Sequence, residues 1–245
     1  MDATLLFEAI RSGDLTTVDR ILATRPAAAQ ASDDAGLSAL TVAAYHGQWP
    51  IVERILASDP DLDIFEAAIV GDVDLVRARL DEAERERQIE AETGLPRTAR
   101  APGREPGDEP RPVNERSSDG FTALHLAAFF GQPDVARFLL DQGADPNPWA
   151  TGDLYVQPLH SAVAGGHEAV AQVLIEGGAE IDTAQREGYT PLMGAAQNGL
   201  ASTVALLLAH GADPKAYNED ILTAAELADR AGHAEVAATI RAAGG

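Results

Sequence analysis

Cysteine is absent from all 245 residues of the chain. That excludes a disulfide framework, a zinc–thiolate site, an iron–sulfur cluster and a cysteine nucleophile. Basic residues are scarce: 18 Lys and Arg face 39 Asp and Glu, a formal charge of −21. A surface so poor in cations does not suit nucleic acid, whose phosphates are bound by clustered Lys and Arg, and it favours neutral or basic partners. No uninterrupted apolar stretch approaches the ~18 residues needed to span a bilayer. The acidic start, Met1-Asp-Ala-Thr-Leu-Leu-Phe-Glu8, lacks the positive n-region of a secretory signal. The expectation is a cytoplasmic protein with no membrane partner. Also missing are a G-x-S-x-G elbow, a phosphate-binding loop and a dinucleotide fingerprint. None of the six His is spaced H-x-x-x-H on one helix beside a supporting carboxylate. No catalytic residue, metal or cofactor is therefore expected.

What the chain has in quantity is alanine, 47 residues of it, within a hydrophobic content of 45%. That favours helix, close helix–helix approach and a packed core. It also repeats itself. Gly131, Gly166, Gly199 and Gly232 are 35, 33 and 33 residues apart, and Gly13 and Gly47 are separated by 34. Phe121-Thr-Ala-Leu-His-Leu-Ala-Ala128, Val156-Gln-Pro-Leu-His-Ser-Ala-Val163 and Tyr189-Thr-Pro-Leu-Met-Gly-Ala-Ala196 occupy equivalent places, and so do Gly143-Ala-Asp-Pro-Asn147, Gly178-Ala-Glu-Ile-Asp182 and Gly211-Ala-Asp-Pro-Lys215. These resemble the T-P-L-H-x-A and G-A-D-x-N signatures of the ankyrin repeat. The resemblance implies an all-α fold: an α-solenoid of about seven helix–turn–helix repeats with short β-turn fingers and one long insertion. It also implies that His125 and His160 hydrogen-bond between neighbouring hairpin loops.

The residues supply independent reasons. Thr190 suits an N-cap with Pro191 at the first helical position, and Gln157 with Pro158 is a poorer version. Gly199 and Gly211 suit left-handed helix ends. Val135, Phe138 and Leu139, Val170, Val173 and Leu174, and Val204, Leu207 and Leu208 recur at helical spacing. One helix pair cannot bury such faces alone, so the units must stack.

Three units are expected in residues 1–82, the first a cap and the third irregular. Unit one runs from Thr4 to about Ala29, unit two from Asp33 to Asp63 and unit three from Ile64 to Glu82. The third has no room for a finger and carries Arg79 where the others have Leu or Ile. Residues 83–116 read as a charged, Pro/Arg-rich insertion whose first part prolongs the preceding helix and whose stretch from Pro96 to Pro112 is a loop. Four units are expected in 117–245, starting near Ser117, Gly152, Gln185 and Asn218 and ending in a cap with Arg241 facing water.

In proteins of this resemblance, the two variable residues before each turn glycine line a concave groove with the hairpin tips. Here its middle reads Tyr45, Ile69, Val70, Phe129 and Phe130, with His46, Gln197 and Asn198 in the same columns. Leu37, Phe121 and Tyr189 stand nearby. Aromatic anchors ringed by polar residues are what binding hot spots look like. The expectation is a monomeric, non-catalytic scaffold that holds a neutral or basic protein or peptide along this groove. Two rivals stand beside it. One is a regulatory protein recognised through its Pro/Arg-rich insertion, and the other is a hydrolase with an unrecognised carboxylate/His site.

Overall fold

Side chains that start helices set the frame. Ser38, Asp63, Thr122, Thr190 and Thr223 each accept the backbone N–H three residues on, at 2.8–3.4 Å, satisfying donors that a helix start otherwise leaves free. Pro191 follows Thr190 at the first helical position. Pro158 follows Gln157, which turns its amide to the Asn147 carbonyl instead. In the computed structural model, which describes residues 2–93, 112–151 and 155–244, the described residues form fourteen α-helices and no strand.

The helices pair in sequence: α1 (Asp2–Ser12) with α2 (Leu15–Thr24), α3 (Ala39–Tyr45) with α4 (Trp49–Leu56), α5 (Ile64–Val70) with α6 (Val73–Thr93), and α7 (Ala123–Phe129) with α8 (Pro133–Asp141). They continue as α9 (Pro158–Gly165) with α10 (Glu168–Glu176), α11 (Pro191–Gln197) with α12 (Ala201–Ala209), and α13 (Ala224–Ala231) with α14 (Ala234–Ala243). Seven pairs make seven units. Each pair turns at a left-handed glycine, and in units one, three, four, five and six a side chain of the next unit lies over it. A Cβ on Gly131 would lie 2.5 Å from the ring of His167, one unit on, so glycine is required there both by its φ and by that close approach.

Hairpins join the pairs and form the fingers. Isolated antiparallel bridges close three of them, Ser32–Ser38, Arg116–Thr122 and Tyr217–Thr223. A ladder runs between the bases of the fingers. The side-chain oxygens of Asn114, Asn147 and Asp182 accept from the backbone N–H groups of Asp145, Glu180 and Asp213 at 2.8–3.0 Å. This gives Asn147 and Asp182, the last residues of two of the three G-A-D-x-N-like motifs, their physical task.

The buried faces of the stack form two hydrophobic clusters that meet at unit three, where Ile69 belongs to the N-terminal one and Ala67 and Ala68 to the other. Val135, Leu139, Val170, Val173, Leu174, Val204 and Leu207 are all buried. Phe138 and Leu208 pack against them half-buried. At the C-terminal edge Ile240 is buried, while Arg241 is exposed and pairs with Asp229.

Unit three departs from the others. Only residues 57–63 connect α4 to α5, against 177–190 and 210–223 in regular units, so there is no finger. Arg79, in place of an aliphatic residue, turns to that short link. Its Nε donates to the Leu62 carbonyl at 2.8 Å, and its guanidinium pairs with Asp61 and Glu82. The second helix of this unit runs on to Thr93. Within the extension Arg85 donates to the Asp81 backbone carbonyl at 3.0 Å, rather than forming the side-chain pair that its i,i+4 spacing suggests. The chain returns at Pro112 and Val113, both buried. Most of the loop expected from Pro96 to Pro112 lies outside the described residues.

Candidate partner-binding groove

Because unit three lacks a finger, the fingers of units two and four meet. The Ser118 hydroxyl donates to the Gly36 carbonyl at 3.2 Å, and the Tyr45 hydroxyl donates to Asp119 Oδ2 at 2.6 Å. Burial, then the bond to that carboxylate, push the Tyr45 phenol far above its ordinary range. The same closure stacks the Tyr45 and Phe130 rings with centroids 5.7 Å apart, and Trp49 and Phe129 meet Phe130 edge-on at 6.0 and 5.1 Å.

Beyond these rings a groove of about 960 Å³ opens along units four to six. Tyr45, Phe121, Phe129, Tyr189, Gln197 and Asn198 line it, so the structure brings together six of the residues singled out from sequence. Four others stand apart from the cavity. His46 is exposed, and Leu37, Val70 and Phe130 are half-buried against the N-terminal cluster.

Ile69 requires correction: it is fully buried and offers nothing to a partner. Counting back from the turn glycine places it beside Phe129. But the interval from cap to glycine is eight residues in unit three, Asp63 to Gly71, against nine in Thr122 to Gly131. Counted forward from the cap, Ile69 falls in the column of Ala128, which is also buried.

The groove's depth comes from residues that motif reading passed over. Moving from α7 to α9 to α11, the floor reads Leu126, Ser161 and Gly194, and the next column reads Phe129, Ala164 and Gln197. Small side chains in columns that hold large ones elsewhere make a notch. Gly165 is fixed by packing, since a Cβ there would lie 2.3 Å from the Phe129 carbonyl oxygen. That size contrast was the available signal. For Trp49, at the start of α4 and 43% exposed, no repeat motif was.

His125 and His160 lie under the groove. The Nε2 atoms reach the Val156 and Thr183 carbonyls, one finger on, at 3.1 and 3.0 Å. Their Nδ1 atoms accept from the backbone N–H groups of Thr122 and Gln157 at 3.2 and 3.3 Å. This fixes Nδ1 as the acceptor and Nε2–H as the donor in each neutral ring. Burial is the main cause holding both pKa values down at about 4. Glu66, in the corresponding capping place of unit three, accepts the Asp63 N–H at 3.0 Å, and burial raises its pKa. These are joints of the scaffold. Among the described residues no group of three or more His, Asp and Glu is arranged to hold a metal ion. No described helix is long and apolar enough to cross a membrane.

Stacked helix pairs with hairpin fingers, cap-to-glycine first helices and histidine bridges between fingers define an α-solenoid repeat protein. Residues 151–239 match the sequence model described as ankyrin repeats (3 copies), and residues 119–150 match that of the single ankyrin repeat. The chain belongs to the ankyrin-repeat family. It is 32% identical over 124 residues to Ankyrin repeat and KH domain-containing protein mask-1 of Caenorhabditis elegans, covering 51% of this chain and 5% of the relative. It is also 40% identical over 101 residues to Neurogenic locus notch homolog protein 2 of Homo sapiens, and 43% over 96 residues to Neurogenic locus notch homolog protein 4. Those matches cover 41% and 38% of this chain, but only 4% and 5% of the relatives. The likeness thus concerns the repeats, which are general protein-interaction modules.

Proposed function

We propose that this chain is a non-catalytic scaffold that holds a protein or peptide segment in its concave groove. The observation that carries the reading is the placement of its aromatic side chains. The sequence has twelve Phe, Trp and Tyr residues. Six of them (Tyr45, Trp49, Phe121, Phe129, Phe130 and Tyr189) line the groove or the ring cluster at its end. Aromatic residues give large contact area at little conformational cost, and a repeat stack whose fingers are already bonded to one another loses little further freedom on binding. Partner capture by the full chain, compared with capture by a Phe129→Ala/Tyr189→Ala variant of unchanged helicity, tests the reading. Capture should be lost in the variant. Equal capture would place the binding surface elsewhere.

A further inference from the structure

The proposed groove binding leaves open what chemistry the partner brings, and two rows of residues bear on it. The first is the floor. Between the unit-four rings Phe121 and Phe129 and the unit-six ring Tyr189, the side chains shrink to Ser161, Ala164 and Gly194. The resulting notch has aromatic ends and an apolar base, suited to one bulky apolar side chain. The second row is the fingertips. The four-residue turns at 33–36, 117–120, 185–188 and 218–221 contain Asp33, Asp34, Asp119, Glu187, Glu219 and Asp220, against a single cation, Arg186. Asp33 is occupied by Arg11, and Asp119 by Tyr45 and Ser117. Asp34, Glu187, Glu219 and Asp220 are exposed and have no ion-pair partner among the described residues. Glu187 lines the groove itself, and its backbone carbonyl is held by the Glu219 N–H of the next finger at 3.0 Å.

Floor and fingertips thus run side by side along the stack, one apolar and one anionic. An extended chain turns successive side chains to opposite sides, so alternate residues can reach the two rows. Resting on the groove reading above, we propose that the occupant is an extended peptide segment. It seats a bulky apolar side chain in the notch over Ala164 and Gly194 and sets Lys or Arg residues against the fingertip carboxylates. A helical occupant would present one apolar face to the floor and leave its basic side chains on the opposite, solvent side.

The test is selection from a phage-displayed random-peptide library on the full chain, with enriched peptides measured against two variants shown by circular dichroism to retain their helicity. Ala164→Trp fills the notch from an exposed position. Glu187→Lys/Glu219→Lys reverses two exposed fingertip charges. Enriched peptides should pair a bulky apolar residue with nearby Lys or Arg. They should lose about tenfold or more in affinity to Ala164→Trp, and bind the fingertip variant several-fold more weakly through a slower on-rate. Peptides lost on Ala164→Trp but free of basic residues and indifferent to the charge reversal would overturn the chemistry while leaving the groove as the site. Peptides indifferent to Ala164→Trp, or a library yielding none on the full chain and none on a chain lacking residues 96–110, would overturn both. Binding that appears only after residues 96–110 are deleted would make the chain's own segment the occupant and overturn the proposal.

Discussion

Single residues show which local rules the fold obeys and which it breaks. At the fingertips of units two, four and six the fourth residue is glycine with φ near +80°: Gly36, Gly120 and Gly188. In unit seven the same place holds Ile221, with φ +61° and 77% exposure. A β-branched side chain in the left-handed region is strained by about 1–2 kcal/mol. Ile221→Gly should therefore raise stability by roughly 1 kcal/mol, offset in part by glycine's greater freedom when unfolded. Thermal unfolding checks this, and a lower midpoint would mean that Ile221 makes a compensating contact. Neighbouring phenylalanines divide similarly. Phe129 is 39% exposed, whereas Phe130 is packed by Tyr45 and Trp49. Phe129→Ala should leave denaturant unfolding within about 0.5 kcal/mol of the parent, and Phe130→Ala should cost about 2 kcal/mol or more. The caps Thr122 and Thr190 were legible because their hydrogen bonds are local. Ile69 was not, because its column depends on a one-residue shortening invisible until Asp63 is known to be the cap.

At the level of elements, fingers and first helices are coupled by His125 and His160. Both rings are neutral in the folded stack with pKa values near 4, below the ordinary 6.5. The unfolded chain binds these protons first, so the stabilising contribution is whole above pH 6.5 and is lost as pH falls from there to about 4. Two such shifts correspond to roughly 3 kcal/mol each at the extreme. The melting temperature should drop across that window, and His125→Gln should flatten the decline. An unchanged slope would show that His125 takes no part in setting the acid limit. The two bridges follow from the resemblance of 121–128 and 156–163 to one signature. The opposite holds for unit three. Its missing finger was legible from spacing, but the direct meeting of fingers two and four was not, since it joins Tyr45 to Asp119 across 74 residues.

Across the whole molecule, stability in a stack is the sum of what each unit holds and what each shares with its neighbours. The two hydrophobic clusters touch at unit three, and the rings and hydrogen bonds between units two and four add a second connection past it. That bypass should keep unfolding in denaturant a single transition. Tyr45→Ala should split it, with the N-terminal units melting first. Far-ultraviolet circular dichroism and hydrogen exchange together read this, and one coincident transition in the variant would show that unit three couples the halves unaided. The number of units and the stacked architecture were legible from glycine spacing, because the period is set by backbone geometry. The groove's position was legible only in part. Its rings are in the motif columns, but its depth depends on what Ala164, Gly165 and Gly194 leave empty, and an absence of side chain carries no motif.

The thirteen residues of α6 from Asp81 to Thr93 form an unbroken helical stem projecting from unit three. Whatever follows Thr93 is carried about 20 Å from where the stem begins, at 1.5 Å per residue. Its bearing around the stem is set by residue count, so removing a single residue would swing the attachment point by about 100° while drawing it in by only 1.5 Å. Length variants in this stem would therefore act as a compass for the segment it bears, changing heading far more than reach.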